Sequence, residues 1–166
     1  MIDPFICVLH SIGMSIQDPI TLREITRDNL DVILDLDVAP NQREHVASNA
    51  VSLAQALIFT DIAWFRAIYC GTKPVGFLMT NESPGEQPYL WRLMIDKKHQ
   101  GLGYGQHAVR ALCQRLAKQG AAELRTSCAP DGDGPLAFYQ RLGFTPTGEI
   151  DEDGEIILKR PLAMNQ

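Results

Sequence analysis

The stretch Gln100-Gly101-Leu102-Gly103-Tyr104-Gly105 limits what this chain can fold into more than any other. An apolar run, Leu90 to Ile95, leads into it, and a strongly amphipathic segment follows. Glycines at alternate positions permit a strained turn and close backbone approach, so the order predicted is strand, tight loop, helix start. The first N–H groups of a helix lack partners and carry roughly half a positive charge. Together these features predict a phosphate or pyrophosphate site.

Two common phosphate loops are excluded by residues. A P-loop continues Gly-Lys-Ser/Thr, whereas Gly105 is followed by Gln106-His107. The dinucleotide fingerprint needs glycine where Gln106 stands and an acid closing the next strand, while Glu123 opens its strand.

The same reading extends to both sides of the loop. Ile20 to Ile25 alternates as a strand, with Thr26 or Asp28 as a cap for a short helix carrying Leu30, Ile33 and Leu34. From Gln42 to Leu57, Val46, Ala50, Leu53, Ala54 and Leu57 recur every three or four residues, predicting one buried helical stripe. Trp64–Cys70 and Lys73–Thr80 flank Gly71-Thr72 as a hairpin. Tyr89–Ile95 is a central strand covered on both faces, in which Arg92 is read as paired with a surface acid, with a functional role as the alternative.

A helix from Gly103 to Gln119 turns Gly105, Ala108, Val109, Leu112, Cys113 and Leu116 to one face, and Gly120 stops it. Glu123–Cys128 is a further strand. Pro135 opens a short helix that Gly143 ends. Phe144–Ile150 and Glu155–Arg160 form a last hairpin through Asp151-Glu152-Asp153-Gly154, read as a solvated tip in preference to an acidic attractor for a cationic ligand.

A length of 166 residues with 45% hydrophobic content predicts one domain, residues 19–166, behind a poorly ordered extension over 1–18. Cys7, Cys70, Cys113 and Cys128 form no C-x-x-C pair, which predicts a reduced, cytoplasmic protein. His10, His45, His99 and His107 lack metal-ligand spacing, so no metal is expected. A net charge of −5 argues against a nucleic-acid face, and the apolar patch Phe5–Leu9 is too short to span a membrane.

Gln/Arg-x-x-Gly-x-Gly/Ala after a mid-chain apolar strand, with Gln100, Gly103 and Gly105 in its fixed positions, resembles the coenzyme A pyrophosphate loop of the GNAT superfamily of N-acetyltransferases. Downstream, Phe138-Tyr139-Gln140-Arg141-Leu142-Gly143-Phe144 resembles the superfamily's second signature, Phe-Tyr-x-x-x-Gly-Phe. The resemblance spans nearly the whole chain. It implies an α/β (α+β) GNAT fold: one mixed, twisted sheet of about seven strands, helices on both faces and a splayed central strand pair.

It further implies acetyl-coenzyme A as co-substrate. The backbone of Leu93, Met94 and Ile95 would grip the pantetheine arm, and Gln100, Gly101, Leu102, Gly103, Tyr104 and Gly105 would hold the pyrophosphate, with Phe138 alongside. Tyr139 would be the catalytic acid, a phenol able to protonate the departing thiolate without being ionised at neutral pH. Two departures stand out. Many relatives carry a glutamate base on the central strand where this chain has Trp91 and Arg92, and an asparagine where it has Gly134. Glu24, Asp37 and Glu82 are the nearest alternative bases by topology.

Val38-Ala39-Pro40-x-Gln42, the segment 46–54, Arg66–Tyr69 and Tyr89–Asp96 look like the bacterial spermine/spermidine acetyltransferase branch. That implies a polyamine acceptor, held by carboxylates and aromatic faces. The expected acceptor contacts are Asp37, Gln42, Asn49, Glu82 and Trp91, with Asp35, Glu44 and Trp64 also available. A peptide or antibiotic amine, or a non-catalytic acyl-coenzyme A binding module, are the competing readings. A homodimer is common in this superfamily.

Overall fold

The computed structural model describes residues 18–130 and 134–162. The expected N-terminal extension, Asp18 apart, and the middle of the loop 129–134 lie outside the described residues. Strands β1 (Ile20–Arg23), β2 (Ala63–Cys70), β3 (Lys73–Asn81), β4 (Tyr89–Ile95), β5 (Glu123–Cys128), β6 (Thr145–Ile150) and β7 (Ile156–Pro161) form one sheet in the order β1-β2-β3-β4-β5-β7-β6. Every neighbouring pair is antiparallel except β4 and β5.

Helices α1 (Leu30–Leu34) and α2 (Asn49–Ile58) cover one face, while α3 (Tyr104–Lys118) and α4 (Leu136–Arg141) cover the other. The strand residues divide between two cores accordingly. Ala67, Tyr69, Phe77, Met79 and Met94 pack with Ile33 and Ala56 on the first face. Ile68, Val75, Leu78, Leu90, Leu124 and Leu158 pack with the buried stripe of α3 and with Tyr139 on the second. Period-two alternation supplies both layers from the same strands. No helix among the described residues is long and apolar enough to cross a membrane.

Helix α2 corrects the sequence reading. It starts at Asn49, where the Ser48 side chain accepts the Val51 N–H at 3.3 Å, and the chain before it makes a 3-10 turn over Pro40–Gln42. Its buried residues are Asn49, Ser52 and Ala56, whereas Ala50 and Ala54 face solvent and Leu57 is 74% exposed. Backbone carbonyls take up the donors on that face, while the buried Asn49 Oδ1 has no partner among the described residues. Asn49 Nδ2 donates to the Ile33 carbonyl at 2.7 Å, and the Ser52 hydroxyl donates to the Ser48 carbonyl at 3.0 Å.

The strand pair β4–β5 departs most from a regular sheet. Only Tyr89 and Arg125 are in register, the Arg125 N–H donates to the Pro88 carbonyl at 2.9 Å, and past that point no ladder forms. On its other side β4 pairs with β3, but the register jumps between Met79↔Arg92 and Thr80↔Leu90, leaving Trp91 as a bulged residue. A bulge bends its strand and increases the local twist. Here it falls where β4 turns away from β5.

The β3–β4 side of this opening is closely packed at Gly76, opposite Ile95: a Cβ there would lie 2.3 Å from the Met94 carbonyl oxygen. Gly76→Ala is therefore expected to push β4 and cost about 1–3 kcal/mol of stability. The check is a lower urea midpoint at unchanged slope.

Candidate active site

Where β4 and β5 diverge, a cavity of about 1070 Å³ opens between them, bounded by the loop after β4, the start of α3, α4 and the β6–β7 turn. Its wall contains Leu93, Met94, Ile95, Gln100, Gly101, Gly103, Tyr104, Gly105, Phe138 and Tyr139, all expected from the sequence, with Gln42 and Trp91 from the expected acceptor set. Leu102 is 47% exposed and outside this lining.

The loop takes the form its glycines allow. Gly101 and Gly103 have φ of 76° and 79°, a left-handed conformation that other residues adopt at a cost. The first bond inside α3 runs from the His107 N–H to the Gly103 carbonyl at 3.2 Å, so the N–H groups of Tyr104, Gly105 and Gln106 have no helical acceptor. Gly105 allows close packing: a Cβ there would sit 3.4 Å from Phe138 Cζ and 3.5 Å from Ile95 Cγ1.

Gln100 ties the loop in place. Its Nε2 donates to the Ile95 carbonyl at 2.9 Å and to Gln42 Oε1 at 2.7 Å, while that same Gln42 oxygen accepts the Ala39 N–H at 3.2 Å. Two residues assigned to different ligands in the sequence are thus joined in one network. Asp96, 6% exposed, makes a parallel tie by accepting from the Asp37 and Lys98 N–H groups and contacting His99 Nδ1, each at 3.1 Å.

Tyr139 is 7% exposed and packs edge-on between Phe138 and Phe144, with ring centroids 5.2 and 5.3 Å away. Burial pushes its phenol up to about 12, with Cys128, Glu155 and Tyr89 adding to the rise and a hydrogen bond with Thr126 opposing it. The hydroxyl therefore stays protonated through the physiological range. Tyr89, on the opposite sheet face, is also raised, mainly by burial, and is hydrogen-bonded with Ser127.

Three expected acceptor contacts lie outside this cavity lining. Asp37 is paired with Arg43 and Lys97, whose hydrogen bonds hold its carboxyl down at about 2. Asn49 is buried in the α1–α2 packing, as described. Glu82 accepts both Arg115 amino groups, at 2.6 and 3.1 Å, and the Thr80 hydroxyl at 2.7 Å. Trp64 is enclosed by Arg66 and Arg115, whose guanidinium carbons lie 4.6 and 3.6 Å from its ring centroid.

Arg92 corrects its sequence reading. The bulge turns two consecutive side chains, Trp91 and Arg92, toward α2, and Arg92 binds Gln55 Oε1 at 3.0 Å and the Trp91 carbonyl at 2.7 Å rather than a carboxylate. Burial lowers its affinity for its proton. The sequence reading names no role for Ser127 or Glu155 and sets Asp151 and Asp153 on a solvated tip, yet all four line the cavity. Ser127 donates to Glu155 Oε2 at 2.6 Å. Counting alternation back from Ile157, paired with Ser127, would have found Glu155 on that face.

A seven-stranded sheet parted beside a glycine-rich helix start, with a buried tyrosine at the parting, defines an acyltransferase of the GNAT type. The model of the acetyltransferase (GNAT) family matches residues 30–144, and the chain belongs to that family and is an N-acetyltransferase. It is 30% identical over 153 residues to a probable spermine N(1)-acetyltransferase of Bacillus subtilis subsp. natto (strain BEST195), covering 86% of this chain and 99% of the relative. It is 29% identical, with the same coverage, to the spermine/spermidine N(1)-acetyltransferase of Bacillus subtilis (strain 168). Among solved structures, the PaiA N-acetyltransferase of Thermoplasma acidophilum in complex with coenzyme A superposes with a TM-score of 0.66 at 14% identity, over 86% of this chain and 98% of that one.

The two-point contact at Glu82 is a structural tie between β3's end and α3. Both side chains are about a quarter exposed, which reduces its worth through solvent screening. Glu82→Gln is expected to lower stability by about 1 kcal/mol. Thermal unfolding of the variant beside the parent checks this.

Proposed function

We propose that this acetyltransferase carries acetyl from acetyl-coenzyme A to a primary amine of a polyamine such as spermine or spermidine. The observation that carries the reading is the parted β4–β5 pair, which leaves one edge of β4 without a ladder partner directly beside unpaired helix N–H groups. Those features fit an elongated ligand with amides in its middle and a pyrophosphate at one end. The amide N–H groups of the loop and of Tyr104 to Gln106 would take the pyrophosphate. Leu93, Met94 and Ile95 would bind the pantetheine amides as an added strand.

When bound, acetyl-coenzyme A supplies an acetyl group activated as a thioester. Tyr139 holds its proton at Oη because burial raises the phenol to about 12. It gives that proton to the departing sulfur, a role for which a phenol is better suited than a carboxylic acid, already ionised at neutral pH. Phe138 and Phe144 fix the ring orientation, since both contact it edge-on. Gln42 and Gln100 act as positioning residues by anchoring the loop to β4's last carbonyl.

The polyamine assignment is supported by the two Bacillus subtilis relatives, whose names specify spermine or spermidine, and by the character of the cavity. Trp91 offers an aromatic face, and Asp151, Asp153 and Glu155 offer carboxylates to a polycation.

Acetyl-coenzyme A is expected to bind the folded protein in calorimetry. Incubation with spermidine, spermine, lysine peptides and aminoglycosides should yield acetylated polyamine by mass. Acetylation confined to peptides or aminoglycosides would replace the acceptor; no uptake of acetyl-coenzyme A would overturn the reading itself. Tyr139→Phe should lower kcat by one to several orders of magnitude while coenzyme affinity barely changes.

A further inference from the structure

An amine acceptor reaches the enzyme as ammonium: with a pKa of about 10.4, fewer than about one molecule in a thousand is neutral at pH 7. The central strand offers no carboxylate for the proton, because Trp91 and Arg92 occupy its bulge. The β6–β7 turn does.

We propose, on the basis of the function above, that Glu155 is the catalytic base that takes the acceptor's proton. Glu155 immediately precedes β7 and lines the same cavity as Tyr139. The register Ser127↔Ile157 and Cys128↔Ile156 puts Ser127, Ile157 and Glu155 on the sheet face that carries Trp91, while Cys128, Ile156 and Tyr139 belong to the other. The base and the acid thus approach the sheet's opening from opposite faces.

The carboxylate is oriented by Ser127, and the backbone of Glu155 by its own turn. Ser127 Oγ donates to Oε2 at 2.6 Å, and the backbone N–H of Glu155 donates to Asp151 Oδ1 at 2.9 Å. Among the described residues, Oε1 accepts no hydrogen bond, which leaves a lone pair for the amine. The charged and titratable groups that share the cavity with Glu155 are Tyr89 and Arg92 from β4, Cys128 from β5, Tyr139 and Arg141 from α4, Asp151 and Asp153 in its own turn, and His45, His99 and Tyr104 elsewhere in the lining. Arg92 is held by Gln55 and makes no ion pair with Glu155, so its charge opposes a bound ammonium without occupying the carboxylate.

The protons balance. Glu155 takes one from the ammonium and releases it to solvent, freeing the nitrogen lone pair. That pair forms the C–N bond as the C–S electrons leave with sulfur, which receives the Tyr139 proton; the second nitrogen proton restores the phenol. The products are the amide, the thiol and one released proton.

The test compares wild type, Glu155→Gln and Ser127→Ala, after coenzyme affinity and thermal unfolding establish that each is folded. With spermidine at pH 7, Glu155→Gln should lose about 100-fold in kcat/KM. The deficit should shrink as pH rises toward 9–10, because the neutral fraction of the amine grows about tenfold per pH unit below its pKa. Ser127→Ala, which frees the carboxylate without removing it, should lose less. Without the coenzyme, calorimetric titration of spermidine should show weaker binding to Glu155→Gln. An active wild type with an unchanged Glu155→Gln, or a loss that stays constant with pH, would overturn the base assignment alone. A wild type that acetylates no amine would overturn the functional reading and this proposal with it.

Discussion

Every feature of the site follows from one break in hydrogen bonding: β4 and β5 are neighbours that pair at Tyr89–Arg125 and then part. Parallel strands in a sheet interior normally satisfy each other's N–H and C=O groups, and leaving a buried edge unpaired is costly. The structure lessens this cost in small ways. The Thr126 hydroxyl donates to the Leu90 carbonyl at 3.1 Å, and Gln100 and Arg92 side chains donate to the Ile95 and Trp91 carbonyls. Side chains thus satisfy the carbonyls at the vertex, at the bulge and at the far end of β4. What remains between them is the stretch a ligand can pair with.

The opening also has to keep its shape, and the ties at its rim account for that. Gln42 and Gln100 link the 3-10 turn before α2 to the loop after β4, while Asp96 receives the Asp37 N–H and the Lys97 N–H donates to the Asp37 carbonyl at 2.8 Å. These contacts cross from the α1–α2 connection to the end of β4. A displacement of that connection would therefore be felt at the glycine loop. The Asp37 ion pairs with Arg43 and Lys97 reinforce the clasp at its exposed edge, where screening limits their contribution.

The parts legible in the sequence were those where backbone conformation dictates residue type. Gly101 and Gly103 stand at positive φ, and the buried stripe of α3 is the one its spacing gives, because apolar residues alone occupy it. Helix α2 was misread for the opposite reason. Asn49 is buried with its amide donating to the Ile33 carbonyl and Ser52 with its hydroxyl donating one turn back, and hydropathy registers neither bond. Chain topology brings Asp37 and Glu82 near the acceptor side but does not show that Arg43, Lys97 and Arg115 already hold them. Glu155 was overlooked because an acidic Asp-Gly turn resembles any solvated hairpin tip; only the pairing of β7 with β5 turns it toward the cavity.

The bulge at Trp91 explains why charge is distributed as it is around the opening. With Leu90 and Leu93 both packed on the α3 side, the two residues between them must share the α2 side, and one of them is a cation. A carboxylate on that part of β4 would lie beside an arginine that burial already makes less willing to hold its charge. The two would pair, and a paired carboxylate is a poor proton acceptor. Placing the acid on the β6–β7 turn, held by Ser127 while Arg92 is held by Gln55, keeps the two charges in one cavity without joining them. The separation of acid from base across the sheet and the separation of base from arginine within one face are thus both consequences of where β4 bends.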